Sequence, residues 1–484
     1  MPNAAAPDKT AQARALAPAR RASPVPLCYG FAVTLTPPQT EPPGKTPNRD
    51  LYEARLTALT SSEGSLTALA ILALMVGAAA GLVCALFRLT LLRADHLRAA
   101  AVDWAHGHSV AGFVLLVGAC ASAAVVAAWL VRRFSPHASG SGIPHVEAVL
   151  RGQAPPAPFV LLPVKFVGGW LAIGSGLALG REGPSVQMGA VLGQLLGDAF
   201  RRDWADCRVL LAAGAGAGLA TAFNAPMAGA VFVLEELVQK FEHRIAIAAL
   251  ASSSTAIAIA HLILGDSPDF QLPPLAYPAP AIGPMFFILG VICGAVAVAY
   301  NKAVLATLAA VDLVRGVPAE TCVAVIGAAA GVLAWFGPEC VGGGDNLTQN
   351  ALLGSPSLFV LPFLFQLRFW FGALSYAAGT PGGLFAPLLT LGAQLGLLFG
   401  ALCGLAFPDL PIQPQAFAVV GMAAFFSGVV RAPLTGLVLA TEMTGSALLL
   451  LPMLAACFTA MLIPTLMSDA PLYDALRARL RFLR

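Results

Sequence analysis

The sequence predicts an all-α polytopic membrane protein built from many short, tilted and broken helices. Three observations carry that prediction. Of 484 residues, 58% are hydrophobic and only 11% are Asp, Glu, Lys or Arg, against roughly 25% charged in an ordinary soluble domain. Apolar runs of about 18 residues or more, long enough to cross a hydrocarbon core as a helix, recur along the chain. Glycine and proline, at 48 and 37 residues, gather at the edges of those runs, the mark of interrupted helices. A β-barrel would instead show short segments of alternating polarity.

Residues 1–63 come first and differ from the rest. They are rich in Ala, Pro and Thr, carry 12 charges of mixed sign and contain no long apolar run, so they are expected to form a disordered arm. No basic stretch leads at once into an apolar one, so the start is unlike a cleaved secretory signal. Apolar segments then follow at about 66–92, 109–131, 159–179, 184–197, 208–234, 245–264, 279–309, 321–336, 357–378, 384–407, 415–430, 433–441 and 446–467. Several are too short to span about 30 Å at 1.5 Å per residue. Such pieces must pack against protein as half-helices.

The chain is duplicated. Glu182–Gly197 placed on Phe385–Gly400, an offset of 203, gives seven identities in sixteen positions. At offset 207, Asn224–Glu235 (NAPMAGAVFVLE) falls on Arg431–Glu442 (RAPLTGLVLATE), and at offset 202 Gly140 and Gly142 fall on Gly342 and Gly344. Two repeats of about 64–265 and 279–470 result, followed by a C-terminal helix carrying Tyr473. Matching interrupted segments in two halves of a membrane protein place a substrate site where the halves meet.

Each repeated block sets a proline before an apolar helical run, at Pro144, Pro184, Pro226, Pro387 and Pro433. Proline suits the first helical turn, where its missing N–H would find no partner anyway. Upstream glycines let the backbone turn and let a ligand approach the free N–H groups. Those N–H groups and the positive end of the helix dipole favour an anion. Packing of small residues explains any one such motif equally well. It does not explain Arg181-Glu182 inside LALGREGPSVQ, because a carboxylate at membrane depth costs about 2.5–3.5 kcal/mol on insertion scales.

Three stretches, Gly140-Ser141-Gly142-Ile143-Pro144, Gly180-Arg181-Glu182-Gly183-Pro184 and Gly383-Leu384-Phe385-Ala386-Pro387, resemble the anion-binding signatures of the CLC family of chloride channels and proton-coupled chloride antiporters. Lys165, the Asn224-Ala225-Pro226 and Arg431-Ala432-Pro433 blocks and Pro471-Leu472-Tyr473 resemble its bacterial antiporter branch, over residues 64–484. The resemblance implies a fold of two inverted-topology repeats and a chloride site formed by Ser141, Gly142, Ile143, Pro144, Leu384, Phe385 and Tyr473. It implies that Glu182 is the external gate and proton carrier, and that Glu236 is the internal proton-transfer group. It also implies a homodimer with a separate pathway in each subunit.

Residue by residue, further expectations follow. Arg181 and Lys165 are supporting cations whose possible partner is Glu147. Glu235 and Glu442, matched by the repeat, are structural. His145 stands where the bacterial antiporter pattern has an acid and is expected in a vestibule. Ser141, where proline would suggest nitrate, favours chloride. The expected function is exchange of chloride for protons across a bilayer, with a passive voltage- or pH-gated chloride channel as the alternative. The motifs of hydrolases, metallopeptidases and phosphate-binding loops are missing, so no enzyme activity, metal or cofactor is expected. A net charge of +3 gives no reason to expect a nucleic-acid partner. Eleven residues follow Tyr473, which leaves no room for the paired CBS domains of some relatives. The implied location is a bacterial inner membrane with both termini cytoplasmic. Arg132, Arg133 and the tail arginines fit positive-inside placement, while Arg88, Arg93 and Arg98 weaken it.

Overall fold

The computed structural model describes residues 49–314 and 318–482, with side chains described from residue 66 to residue 479 apart from 315–317 and 319. The first half runs through α1 (Arg49–His106), α2 (Ser109–Phe134), α3 (Ile143–Leu150), α4 (Leu161–Gly174), α5 (Glu182–Ala199), α6 (Trp204–Phe223), α7 (Pro226–Phe232) and α8 (His243–Leu264). The second comprises α9 (Gly283–Leu313), α10 (Ala319–Phe336), α11 (Asp345–Leu353), α12 (Leu361–Ala377), α13 (Phe385–Ala406), α14 (Pro414–Val430), α15 (Pro433–Thr444) and α16 (Leu450–Leu466), and α17 (Leu472–Phe482) closes the chain. Most of the arm, residues 1–48, lies outside the described residues, and the boundary drawn at 63 falls within α1.

Among the described residues, six helices are long and apolar enough to cross a membrane, and four more are apolar but shorter. The short ones are explained by the breaks. The apolar segment 208–234 divides at Asn224, whose φ of 50° ends α6, and α7 restarts at Pro226. Arg431, 207 residues on, does the same between α14 and α15 with φ 72°. A residue in this left-handed region terminates a helix, and the proline two positions later starts the next.

The halves pack alike. Gly189 lies so close to α6 that an added Cβ would sit 2.1 Å from the Gly214 carbonyl oxygen, and in the second half Gly392 stands 2.4 Å from that of Gly421 on α14. Gly193 against Leu210 and Gly396 against Phe417 repeat the pattern at 2.1 and 2.0 Å. Backbone-to-backbone packing of this kind holds helices together where lipid supplies no hydrophobic drive. From residue 207 to 223 nearly every residue of α6 is buried, and so is every residue of α14 from 416 to 430. Both are enclosed by other helices on all sides, which is why they are apolar all round.

Contacts between the halves are reciprocal. Glu442 of α15 accepts the N–H groups of Met227 and Ala228 at 3.0 and 2.8 Å. Glu235 accepts those of Leu434 and Thr435 at 3.0 and 2.7 Å, and the Thr435 hydroxyl at 2.7 Å. Each carboxylate therefore caps the first turn of the other half's helix, where N–H groups lack partners. Among the described residues no strand forms, but an isolated bridge joins Gly180 and Gly383, each N–H donating to the other's carbonyl at 2.8 Å. A swap of this symmetry is what a pseudo-twofold axis between repeats produces. The structural role expected for Glu235 and Glu442 is the one they hold.

Candidate functional site

The Gly180–Gly383 bridge stands two residues before the starts of α5 and α13. Glu182, the first residue of α5, is fully buried. Its Oε1 accepts the N–H of Phe385, the first residue of α13, at 2.6 Å. The carboxylate thus occupies the place that a helix N-terminus offers an anion. Two glycines make the room: a Cβ on Gly180 would lie 2.1 Å from Oε2, and one on Gly383 2.3 Å from Oε1. Oε2 itself has no hydrogen-bond partner.

On the other side of this seat lies the Gly140-Ser141-Gly142 loop that precedes α3. Gly140 and Gly142 have φ of 61° and 85°, values that residues with a Cβ seldom adopt. Between them Ser141 turns inward, fully buried, and the Tyr473 ring of α17 is equally buried. The two hydroxyls face one another and Glu182. Their contact falls short of hydrogen-bond geometry, and a buried hydroxyl without a full hydrogen bond costs about 1–3 kcal/mol. The Phe385 ring packs against Tyr473, Phe232 and Phe426 with centroids 5.6, 5.7 and 4.7 Å apart. That packing fixes the backbone N–H that holds Glu182. Gly142, Ile143 and Pro144 begin α3, and Leu384 precedes Phe385; all are buried. The sequence-predicted anion residues are therefore brought together at the starts of three helices, α3, α13 and α17.

The charges around the seat depart from expectation. Glu147 pairs with neither Arg181 nor Lys165. It meets Arg477 of α17 at 2.5 Å and faces Glu236, because the one-turn separation from Ile143 aims it along α3 toward α17. Lys165 donates to the carbonyls of Ala138 and Gly140 at 3.0 and 2.8 Å, holding the loop that carries Ser141. Arg181 donates to the Ala222 carbonyl at 2.8 Å and bridges Asp345 at 2.7 Å and Asp269 at 3.2 Å, and Arg88 shares Asp269 at 2.5 Å. Glu236 lies on a π-helical turn, Val233–Val238, that continues α7, a local widening common at functional sites. It is buried beside the Glu147–Arg477 pair.

Three partners were not foreseen. Arg368 is fully buried and donates to the carbonyls of Cys340, Gly342 and Gly343 at 3.1, 2.9 and 3.0 Å. It stands 203 residues after Lys165 and does for the second repeat what Lys165 does for the first. The offset alone, extended to these two cations, would have found it. Asp269, in the stretch between α8 and α9, and Arg477 have no repeat counterpart to give them away. His145, expected in a vestibule, lines a cavity of about 260 Å³ bounded also by Gly140, Gly142, Tyr376 and α17.

Residues 123–465 match the family described as voltage gated chloride channel. The chain belongs to this family, the CLC family. Among its CLC relatives, the H(+)/Cl(-) exchange transporter ClcA of Salmonella paratyphi B is 38% identical over 418 residues, which cover 85% of this chain and 88% of the relative. The protein of the same name from Citrobacter koseri is 38% identical over 421 residues, 85% and 89% of the two chains. A slow cyanobacterial Cl-/H+ antiporter of solved structure superposes with a TM-score of 0.82 at 30% identity, covering 85% of this chain and 97% of that one. The broken helices and the meeting of α5 with α13 are thus features of a CLC fold.

Proposed function

We propose that this CLC protein is a proton-coupled chloride antiporter in which Glu182 is both external gate and proton carrier. The observation that carries the reading is the Glu182 carboxylate on the Phe385 N–H at 2.6 Å, with the hydroxyls of Ser141 and Tyr473 facing it. A carboxylate in an anion's seat competes with the transported anion. Ionised, it closes the path; protonated, it gives up a charge-assisted hydrogen bond worth about 1.5–3 kcal/mol and releases the N–H to chloride. Proton and chloride then use one seat in alternation, and coupling follows. The site offers chloride neutral donors, the two hydroxyls and the N–H groups of Ile143, Leu384 and Phe385, so an ion can bind and still leave.

Glu236 serves as the internal proton-transfer group. Arg477 holds the charge of Glu147, so the neighbouring Glu236 is free to load and release a proton. The relatives named as H(+)/Cl(-) exchange transporters support the reading at 38% identity. Chloride is the substrate, as Ser141 suggests. The protein works as a homodimer in a bacterial plasma membrane, with both termini cytoplasmic.

Flux from reconstituted vesicles tests this. A chloride gradient should drive protons uphill; chloride movement without proton movement would instead identify a passive channel. Glu236→Gln should abolish proton coupling and keep chloride flux, and Glu182→Gln should leave chloride movement that ignores pH. A preference for fluoride or nitrate over chloride would overturn the substrate assignment.

A further inference from the structure

Tyr473 is the second residue of α17, and the turn that delivers it is tied to two other elements. Just past α16, the Ser468 N–H donates to the Thr465 carbonyl at 3.1 Å and the Asp469 N–H to that of Pro464 at 3.0 Å. Ser468 has φ of 53°, a left-handed value that glycine takes freely and serine seldom does. Such a turn keeps its shape where the surroundings hold it. Asn301 of α9, buried, donates from Nδ2 to the Asp469 carboxylate at 3.0 Å and to the Ala470 carbonyl at 3.4 Å. Arg431, at the break between α14 and α15, donates to the carbonyls of Asp469 at 3.0 Å and Met461 at 3.2 Å.

The first repeat holds a counterpart. Asn224, at the equivalent break between α6 and α7, donates to the Ser267 carbonyl at 3.0 Å, in the stretch that leaves α8. Arg431 and Asp469 stand 207 and 202 residues after Asn224 and Ser267. In both halves, then, the residue at the helix break grips the segment leaving α8 or α16. The first of these segments leads to α9, whereas the second leads within four residues to Tyr473. The farther end of α17 is held separately, by Arg477 on Glu147 and by Arg479 on Asp312 and the Leu308 carbonyl. The contacts of Asn301 and Arg431 therefore govern the end of α17 that carries the tyrosine.

We propose that Asn301 and Arg431 are positioning residues of the anion site: by clamping the turn at 468–470 they set where α17 presents the Tyr473 hydroxyl to the transported ion. Both act through Tyr473 and stand outside the cage of donors. The proposal deepens the transport reading above and rests on it, since that reading places chloride against this hydroxyl.

Chloride affinity, measured by calorimetry on the full chain in detergent, tests the clamp. Asn301→Leu keeps the shape of the side chain and removes the donor, so affinity should fall roughly 2- to 12-fold, at most the loss that Tyr473→Phe causes. Arg431→Met, which keeps the apolar stem and removes both donors, should act in the same direction. Asp469→Asn leaves Asn301 an acceptor and should bind chloride as the unaltered protein does. The swap Asn301→Asp/Asp469→Asn restores an amide–carboxylate pair with the roles exchanged and should keep most of the affinity that Asn301→Leu loses. Combined with Tyr473→Phe, neither Asn301→Leu nor Arg431→Met should add a further loss, because the hydroxyl each displaces is already gone. Asn301→Ala takes the place of Asn301→Leu if the larger side chain prevents folding. Unchanged affinity in the Asn301 or Arg431 variants, losses that multiply with that of Tyr473→Phe, or a swap no better than Asn301→Leu would overturn the proposal. Unchanged affinity in Tyr473→Phe alone would overturn the place of that hydroxyl in the transport reading, and the clamp with it.

Discussion

Glu235 and Glu236 are neighbours in sequence with opposite duties, and glutamine substitutions separate them. Glu235 is half-buried and accepts three hydrogen bonds from Leu434 and Thr435 of the other repeat. Glutamine keeps one acceptor oxygen but turns an NH2 toward N–H donors and removes the negative charge from a helix start. One to two charge-assisted bonds of about 1.5–3 kcal/mol each are lost. Partial exposure lowers the sum to about 1–4 kcal/mol. For a chain of this size that is a fall of roughly 1–4 °C in melting temperature. Glu236 sits buried beside Glu147 rather than at a helix start, and glutamine matches it in size, so Glu236→Gln should lower the melting temperature by less than Glu235→Gln does. The measurement is paired: thermal unfolding of detergent-solubilised protein, and proton and chloride flux in vesicles. Glu235→Gln should lose stability and keep its proton-to-chloride ratio, and Glu236→Gln should do the reverse. If Glu235→Gln abolishes coupling at an unchanged melting temperature, the assignment of the two carboxylates is wrong.

Three other predictions follow from the site. Ser141→Ala and Tyr473→Phe each remove one neutral donor worth about 0.5–1.5 kcal/mol, so calorimetric chloride affinity should fall roughly 2- to 12-fold in each; an unchanged affinity in both would remove the hydroxyls from the anion site. Arg477→Gln strips Glu147 of its cation beside Glu236, so the two carboxyls compete for one proton and proton turnover should slow more than chloride binding weakens. Equal losses in both assays would argue against a proton-path role. Gly189→Ala sets a methyl group 2.1 Å from the Gly214 carbonyl and should prevent stable folding, whereas Gly118→Ala, with nothing within 4 Å, should be silent by expression and melting temperature.

The sequence showed the helix starts and the repeat because both are written in local chemistry: a proline, a glycine upstream, an offset near 203. Through these it located the helix starts beside Ser141, Glu182 and Phe385, while the roles of those residues came from the resemblance to the CLC family. It could not show that Glu147 meets Arg477, since the two are 330 positions apart and nothing in either neighbourhood distinguishes one buried cation from another. Lys165 was visible as an oddity, but its task was not. An ammonium in an apolar segment suggests a carboxylate partner, and here the backbone carbonyls of Ala138 and Gly140 satisfy it instead. The division of segment 208–234 at Asn224 was written in FNAP but lost in the surrounding apolar residues. Its twin at Arg431 makes the break plain only when the two halves are compared.

The exchange of caps between Glu235 and Glu442 has a bearing on how such a chain comes to exist. A residue on one half that reaches for the other half, and is met by its equivalent reaching back, is the self-complementary contact of two identical subunits. Gene fusion would enclose that contact within one polypeptide. Neither half would then be self-sufficient during synthesis, because α7 emerges from the ribosome more than two hundred residues ahead of the carboxylate that completes it. Membrane insertion of the first repeat must precede its finishing, and the second repeat acts as the template against which the first settles.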